Sequence, residues 1–212
     1  MNMSAIIGGG VLGRHIISHL SSCTPEKTWH IFDDIALSTS TSEFIHSFNQ
    51  YPCKEFSKFN FYIGLGYNHL KLRLKIINEI KAMHRAVPSF VHSSSHRDPT
   101  AEIEDGSIVF PMCNIDKNVS IGKGVILHNS VTISHDCVIG DSSYLSPGVI
   151  LCGNVTIGPY SFIGAGSVIS NGIRIGSGVK IGLGSVVTKN VGDETSAIGN
   201  PLRILKKDLK II

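Results

Sequence analysis

The sequence predicts a small α/β unit followed by a long parallel β-helix, and three observations carry that prediction. From Ile103 to Val187 every sixth residue is aliphatic: Ile103, Val109, Ile115, Ile121, Leu127, Ile133, Ile139, Leu145, Leu151, Ile157, Ile163, Ile169, Ile175, Ile181 and Val187. The position four residues after these is small or β-branched, as at Val119, Cys137, Ser143 and Ser167, and glycine often follows the aliphatic, as at Gly122, Gly140 and Gly158. Upstream of the repeat the pattern is different: short apolar runs end in glycines or acids and alternate with stretches at helical spacing.

A helix of period 3.6 cannot hold every sixth residue on one face, and plain two-residue alternation does not put glycine at a fixed phase. Six-residue units that each make one strand and one corner do both. Three units close a triangular coil with the aliphatic pointing inward. The run is long enough for about five coils, which at ~4.8 Å between stacked strands makes a prism roughly 24 Å tall.

In the N-terminal part, Ser4 to Ile7 reads as a strand that runs into Gly8-Gly9-Gly10-Val11-Leu12-Gly13. The glycines fit G-x-G-x-x-G between a strand and a helix, and Trp29 to Phe32 reads as a second strand ending at Asp33-Asp34. Glycine lets the backbone approach a phosphate, and a helix N-terminus offers free N–H groups and partial positive charge. An acid at the end of the second strand accepts a hydrogen bond from a ribose hydroxyl or a base N–H. A third strand, Phe61 to Leu65, ends at Gly64-Leu65-Gly66, a helix is expected from about His69 to Met83, and a fourth short strand near Val87 to Val91. Asp34 to Ser57 reads only as a helix or loop at the edge. The unit amounts to one mononucleotide-binding half of a Rossmann fold, so a nucleotide carried by a substrate suits it better than NAD. Ser93 to Pro99 is polar and turn-rich and reads as a linker, which places the domains at 1–94 and 95–212.

Composition narrows the class. The net charge of +3 comes without a basic stripe, so nucleic acid is not an expected partner. Five cysteines form no zinc spacing, and Cys113 and Cys137 fall in the inward phase, as core thiols of a reducing compartment do. No apolar run approaches the ~18 residues of a membrane span, which makes a soluble, cytoplasmic chain the expectation.

Of ten histidines only His128 and His135 lie in the repeat. His135 sits two positions past the inward Ile133, near a corner, with its ring outward and Asp136 next to it. One coil later Gly153 leaves open space beneath it. An imidazole whose tautomer is fixed by a carboxylate is a general base, although a surface histidine with an unrelated neighbour has the same sequence. His128 follows the inward Leu127 and so points outward, either onto the same cleft or into solvent, with solvent the expected reading. Two histidines seven residues apart do not make the three-histidine zinc site of a β-helical carbonic anhydrase, so no metal is expected.

His135-Asp136-Cys137-Val138-Ile139-Gly140-Asp141, Ser146-Pro147-Gly148, Gly153-Asn154-Val155-Thr156-Ile157-Gly158 and the closing Gly199-Asn200-Pro201 resemble the sugar O-acyltransferase family of hexapeptide-repeat acyltransferases. That family includes sialic acid O-acetyltransferases and nucleotide-4-amino-sugar N-acetyltransferases. The resemblance implies that the β-helix is left-handed, a property the spacing alone leaves open. It further implies a homotrimer with sites between subunits, and acetyl-CoA as cosubstrate. His135 would be the catalytic base, Asp136 would raise its basicity, and the Gly153 N–H would polarise the thioester carbonyl. Gly8, Gly10, Val11, Leu12, Asp33, Asp34, Gly64 and Gly66 would hold the nucleotide of the sugar. Tyr144, Gly164, Ala165, Gly182 and Leu183 would line the coenzyme. The basic tail (Arg203, Lys206, Lys207, Lys210) reads either as a solvated end or as a reach to the phosphates of coenzyme A. Two positions depart from the family: Val11-Leu12 stand where relatives often carry Gly-His, and Tyr144 where many carry histidine.

The expected activity is N-acetylation of a UDP- or dTDP-linked 4-amino sugar. O-acetylation of a sialic acid is the rival within the enzyme class, and a non-catalytic nucleotide-sugar-binding scaffold the rival outside it. Fold alone does not separate them.

Overall fold

The computed structural model describes residues 3–23, 28–39 and 42–206. It divides into two compact units, Met1–Phe90 and Val91–Ile212. The first is a four-stranded parallel sheet in the order β3-β2-β1-β4, made from β1 (Ser4–Ile7), β2 (Trp29–Phe32), β3 (Ile45–His46) and β4 (Asn60–Ile63). Helices α1 (Val11–Cys23), α2 (Asp34–Thr39) and α3 (Leu70–Ala82) follow β1, β2 and β4. β1 is central and buried along its whole length, as its Ser-Ala-Ile-Ile sequence requires of a strand covered on both sides. Ile16 and Leu20 of α1, four apart, and Ile76, Ile77 and Ile80 of α3 supply the buried helix faces.

The expected fourth strand near Val87–Val91 is not in this sheet. Ala86 makes one isolated bridge to Asn60, and Phe90–Val91 pairs into the β-helix instead. The fourth place goes to Ile45–His46 at the opposite edge, inside the segment that the sequence left unassigned. What fixes it there is an aromatic cluster: His30 Nδ1 and His46 Nε2 lie 2.7 Å apart, and Phe32, Phe44, Phe56 and Phe59 ring the pair. Cross-strand packing of this kind overrides a weak local signal.

The second unit is a left-handed parallel β-helix with three faces. One face has six strands, at His96–Arg97, Asn114–Ile115, Thr132–Ile133, Ile150–Leu151, Val168–Ile169 and Val186–Val187. The other two have five and eight strands. Each strand pairs in parallel register with its counterpart one coil on, as in Ile121↔Ile139, Leu127↔Leu145 and Ile133↔Leu151. The inward aliphatics from Val109 to Val187 are all buried and form one column with Val119, Val131, Cys137 and Val155. Every sixth residue from Gly106 to Gly184 has positive φ, and asparagine, serine, aspartate, Met112 and Tyr160 share these corners with glycine.

Ser93–Pro99 is built into the first coil and does not act as a linker. His96–Arg97 pairs with Asn114–Ile115, and the Ser95 hydroxyl donates to the Phe110 carbonyl at 2.8 Å and accepts the Cys113 N–H at 3.0 Å. Arg97 occupies the inward phase but is exposed at the open end of the prism, where its guanidinium donates to the Ala101 carbonyl. Val91 and Ile103, the inward residues on either side of Arg97, are only partly buried against the core, so the aliphatic column ends at this coil. Among the described residues no helix is long and apolar enough to cross a membrane.

Candidate active site

The His135 site grows from the corner that joins the six-stranded face to the five-stranded one. Ladder bonds pin this corner: the Asp136 N–H donates to the Lys117 carbonyl and the Asn154 N–H to the His135 carbonyl. Asp136 has φ +58, a conformation aspartate tolerates, and it turns the carboxylate back to the preceding side chain. His135 Nδ1 donates to Asp136 Oδ2 at 2.7 Å. That bond leaves Nε2 as the free basic nitrogen of the neutral ring. The other carboxylate oxygen accepts from Asn118 Nδ2 at 3.0 Å. The Asn118 amide first, and the His135 ring second, hold the Asp136 carboxyl below the ordinary carboxylate range.

Gly153 lies against the imidazole. A Cβ there would come within 2.7 Å of both His135 Cε1 and Nε2. Gly153 has no positive φ, so the ring, and not the backbone, demands glycine. Its expected role as thioester polariser does not fit this arrangement, because its N–H already donates to Asn171 Oδ1 at 2.9 Å. Asn118 and Asn171 are the residues that sequence reasoning missed. Each stands one coil from its partner, Asn118 before Asp136 and Asn171 after Gly153, so stepping by eighteen from the chosen residues finds both.

Ala165 and Leu183 are exposed at a different corner, between the eight- and six-stranded faces, with Gly164 and Gly182 packed beneath neighbouring coils. Tyr144 does not join them. It is only 7% exposed, and its ring stacks on Phe162 with centroids 5.8 Å apart. Ile108, Ile126, Tyr144 and Phe162 are a buried apolar file on the outer phase of one face, and the phenol belongs to that file. His128 is not simply solvated either: it stacks on Phe110 at 4.7 Å, and its Nδ1 accepts the Asn129 N–H at 3.0 Å. The tail residues Lys207 and Lys210 lie outside the described residues, and Lys206 lines a cavity of about 320 Å³ with Lys180 and Glu194.

In the α/β unit the glycines divide by task. A Cβ on Gly13 or Gly64 would overlap the Gly8 carbonyl oxygen, so these two let α1, β1 and β4 close together. A Cβ on Gly10 or Gly66 would meet nothing within 4 Å, and Val11 beside Gly10 is 90% exposed, whereas Leu12 is half-buried. Asp33 binds the chain itself: Oδ2 accepts the Gly9 N–H at 2.7 Å and Oδ1 the Ala36 N–H at 2.9 Å. Asp34 Oδ1 accepts the Ser47 hydroxyl at 2.7 Å and the Phe48 N–H at 3.1 Å. The acidic pair therefore sets the loop geometry and leaves only its remaining lone pairs for a ligand. Arg14 Nε reaches the Gly9 carbonyl at 3.0 Å, and the Arg73 guanidinium holds the Leu65 carbonyl between Gly64 and Gly66. A cavity of about 500 Å³ opens beside Gly9 between Ile17, Ile31, Ala36 and Ile45.

Among the described residues no three histidines, cysteines or acids are placed to hold a metal ion together.

Comparison with known proteins agrees with this architecture. The bacterial transferase hexapeptide repeat matches residues 136–171. The acetyltransferase domain of PglB from Neisseria gonorrhoeae superposes with a TM-score of 0.87 at 25% identity, covering 97% of this chain and all of that one. PerB from Caulobacter crescentus, solved with CoA and GDP-perosamine, gives 0.85 at 25% identity over 97% of each chain. WeeI from Acinetobacter baumannii gives 0.83 at 26%, covering 96% of this chain and 100% of that one. A sequence search of curated proteins finds no match. Residues 136–171 thus match the hexapeptide repeat of bacterial transferases, and 97% of the chain shares the fold of the PglB acetyltransferase domain and of PerB, a likeness that supports acyltransferase activity.

Proposed function

We propose that this protein transfers the acetyl group of acetyl-CoA to the amine of a nucleotide-linked amino sugar, with His135 as general base. The observation that carries the reading is the His135–Asp136 hydrogen bond at 2.7 Å beside a side-chain-free Gly153. His135 Nε2 takes a proton from the attacking amine as the nitrogen–carbon bond forms to the thioester carbonyl, and Asp136 stabilises the imidazolium. The tetrahedral intermediate then expels the coenzyme thiolate, and the imidazolium returns the proton to sulfur. With the Gly153 N–H engaged by Asn171, the oxyanion is left to other donors at the assembled site.

The α/β unit supplies the sugar-nucleotide end through its open Gly10 and Gly66 edges and the loops tied by Asp33 and Asp34. The separation of His135 from Ala165 and Leu183 onto two corners of one prism supports a trimer: a corner from each of two copies completes one site. The similar PerB was solved with a GDP-linked sugar, so guanine nucleotides stand beside UDP and dTDP as carriers. The test is thiol release from acetyl-CoA with UDP-, dTDP- and GDP-linked 4-amino sugars beside free sialic acid. Turnover confined to the amino sugars supports the proposal, and turnover with sialic acid alone overturns it.

A further inference from the structure

We propose that Asn118 is a positioning residue for the His135–Asp136 pair, acting through the carboxylate from the preceding coil. This rests on the reading of His135 as the base. Asp136 stands on an exposed corner, where a lone carboxylate rotates freely and its bond to imidazole competes with water. Asn118 removes that freedom: its Nδ2 donates to Oδ1 at 3.0 Å while His135 Nδ1 donates to Oδ2 at 2.7 Å. With one oxygen tied to each partner, the plane of the carboxylate is set. An ionised carboxylate only accepts, which assigns the nitrogen of the Asn118 amide to this contact.

Asn118 is itself anchored. Its N–H donates to Thr100 Oγ1 at 2.8 Å, and the Thr100 hydroxyl and N–H donate to Asp98 Oδ1 at 2.6 and 2.9 Å. A continuous chain, Asp98–Thr100–Asn118–Asp136–His135, thus climbs three successive coils to the basic nitrogen's ring. Asp98 and Asp136 are both held below the ordinary carboxylate range, by Thr100 in one case and by Asn118 first in the other. The charged groups that face Asp136 are His135 and Lys117, with the Cys137 thiol at the next position; none supplies a second neutral donor to Oδ1. The chemistry needs that donor because the imidazolium formed in the transition state is stabilised only if the carboxylate stays ionised and aimed at Nδ1.

Asn118 has φ +57, so alanine would add backbone strain to the loss of the amide. Asn118→Gly keeps the corner and removes the donor, and Asn118→Asp keeps shape and corner while placing a second carboxylate against the first. Both variants should lower kcat about tenfold, the aspartate more, with each KM within about twofold of wild type. Carboxyl-carbon NMR should show the Asp136 titration midpoint raised in both. Melting curves on each variant report folding, and Asn118→Asp serves if the glycine variant does not fold. Unchanged kcat, or a moved Asp136 midpoint with unchanged kcat, overturns the inference. Failure of the parent reading looks different: His135→Ala would then retain turnover, whatever Asn118 does.

Discussion

The imidazole of His135 fills the space that any side chain at position 153 would take, 2.7 Å from where a Cβ of Gly153 would sit. One coil thus shapes the position of the proposed base on the previous one. Gly153→Ala should displace the ring without disturbing the coil, since φ at 153 needs no glycine. We expect kcat to fall roughly 10–100-fold, as for a ~1 Å misplacement of a reacting group, with an unchanged melting temperature. Steady-state kinetics beside thermal melting would check this, and full turnover in the alanine variant would contradict it.

His135→Ala should lower kcat by roughly 10²–10⁴, the usual contribution of a positioned base, and leave the Kd for acetyl-CoA nearly unchanged. Residual turnover should rise with pH as more of the acceptor amine loses its proton unaided. A parallel loss of coenzyme affinity, measured by calorimetry, would point to a binding role instead.

The His30–His46 pair makes the α/β unit sensitive to acid. Burial lowers the pKa of both rings, and His46 lowers that of His30 further, against weaker opposing contributions from Glu43 and Glu55. The unfolded chain therefore binds protons before the folded one does, so stability falls as pH drops below the unfolded value of ~6.5 and through the lowered folded values. Melting followed between pH 7.5 and 5 should show the decline, and His30→Phe, which removes one titrating ring from the aromatic cluster, should flatten it. An equal slope in the variant would reject the assignment.

Asp33→Ala should raise the KM for the sugar nucleotide and spare that for acetyl-CoA. The cause lies in the loops: Asp33 ties Gly9 to the start of α2, and its loss frees both. Equal effects on the two constants would refute this division of labour.

A chain that starts at Phe90 should fold as a β-helix by itself, because its inward aliphatics pack on one another. Starting at Ser95 removes Val91, which packs against that core, and the Ser94 hydroxyl that accepts the Met112 N–H. The shorter chain should therefore melt lower, by circular dichroism, than the one that begins at Phe90.

Much of the architecture was legible in the residues because a period-six aliphatic column has one economical burial. From Ile103 to Val187 each inward side chain meets its own counterpart one coil on, so local spacing and long-range contact carry the same information. His135, Asp136 and Gly153 could be placed on one corner for the same reason. Where contacts do not repeat, the residues said less. Ile45–His46 becomes a strand only because aromatic rings from β2 and from the 3₁₀ turn at Phe56 close around His46. The polar Ser93–Pro99 becomes a coil only because the next coil offers backbone partners to Ser94 and Ser95. Tertiary structure alone decided how the polar groups are spent. It gave the Gly153 N–H to Asn171, the Asp33 oxygens to Gly9 and Ala36, the Tyr144 ring to Phe162, and the second oxygen of Asp136 to Asn118. A hydrogen bond is directional and is satisfied by whichever group arrives at ~3 Å, so composition names the donors and acceptors but only the folded chain pairs them.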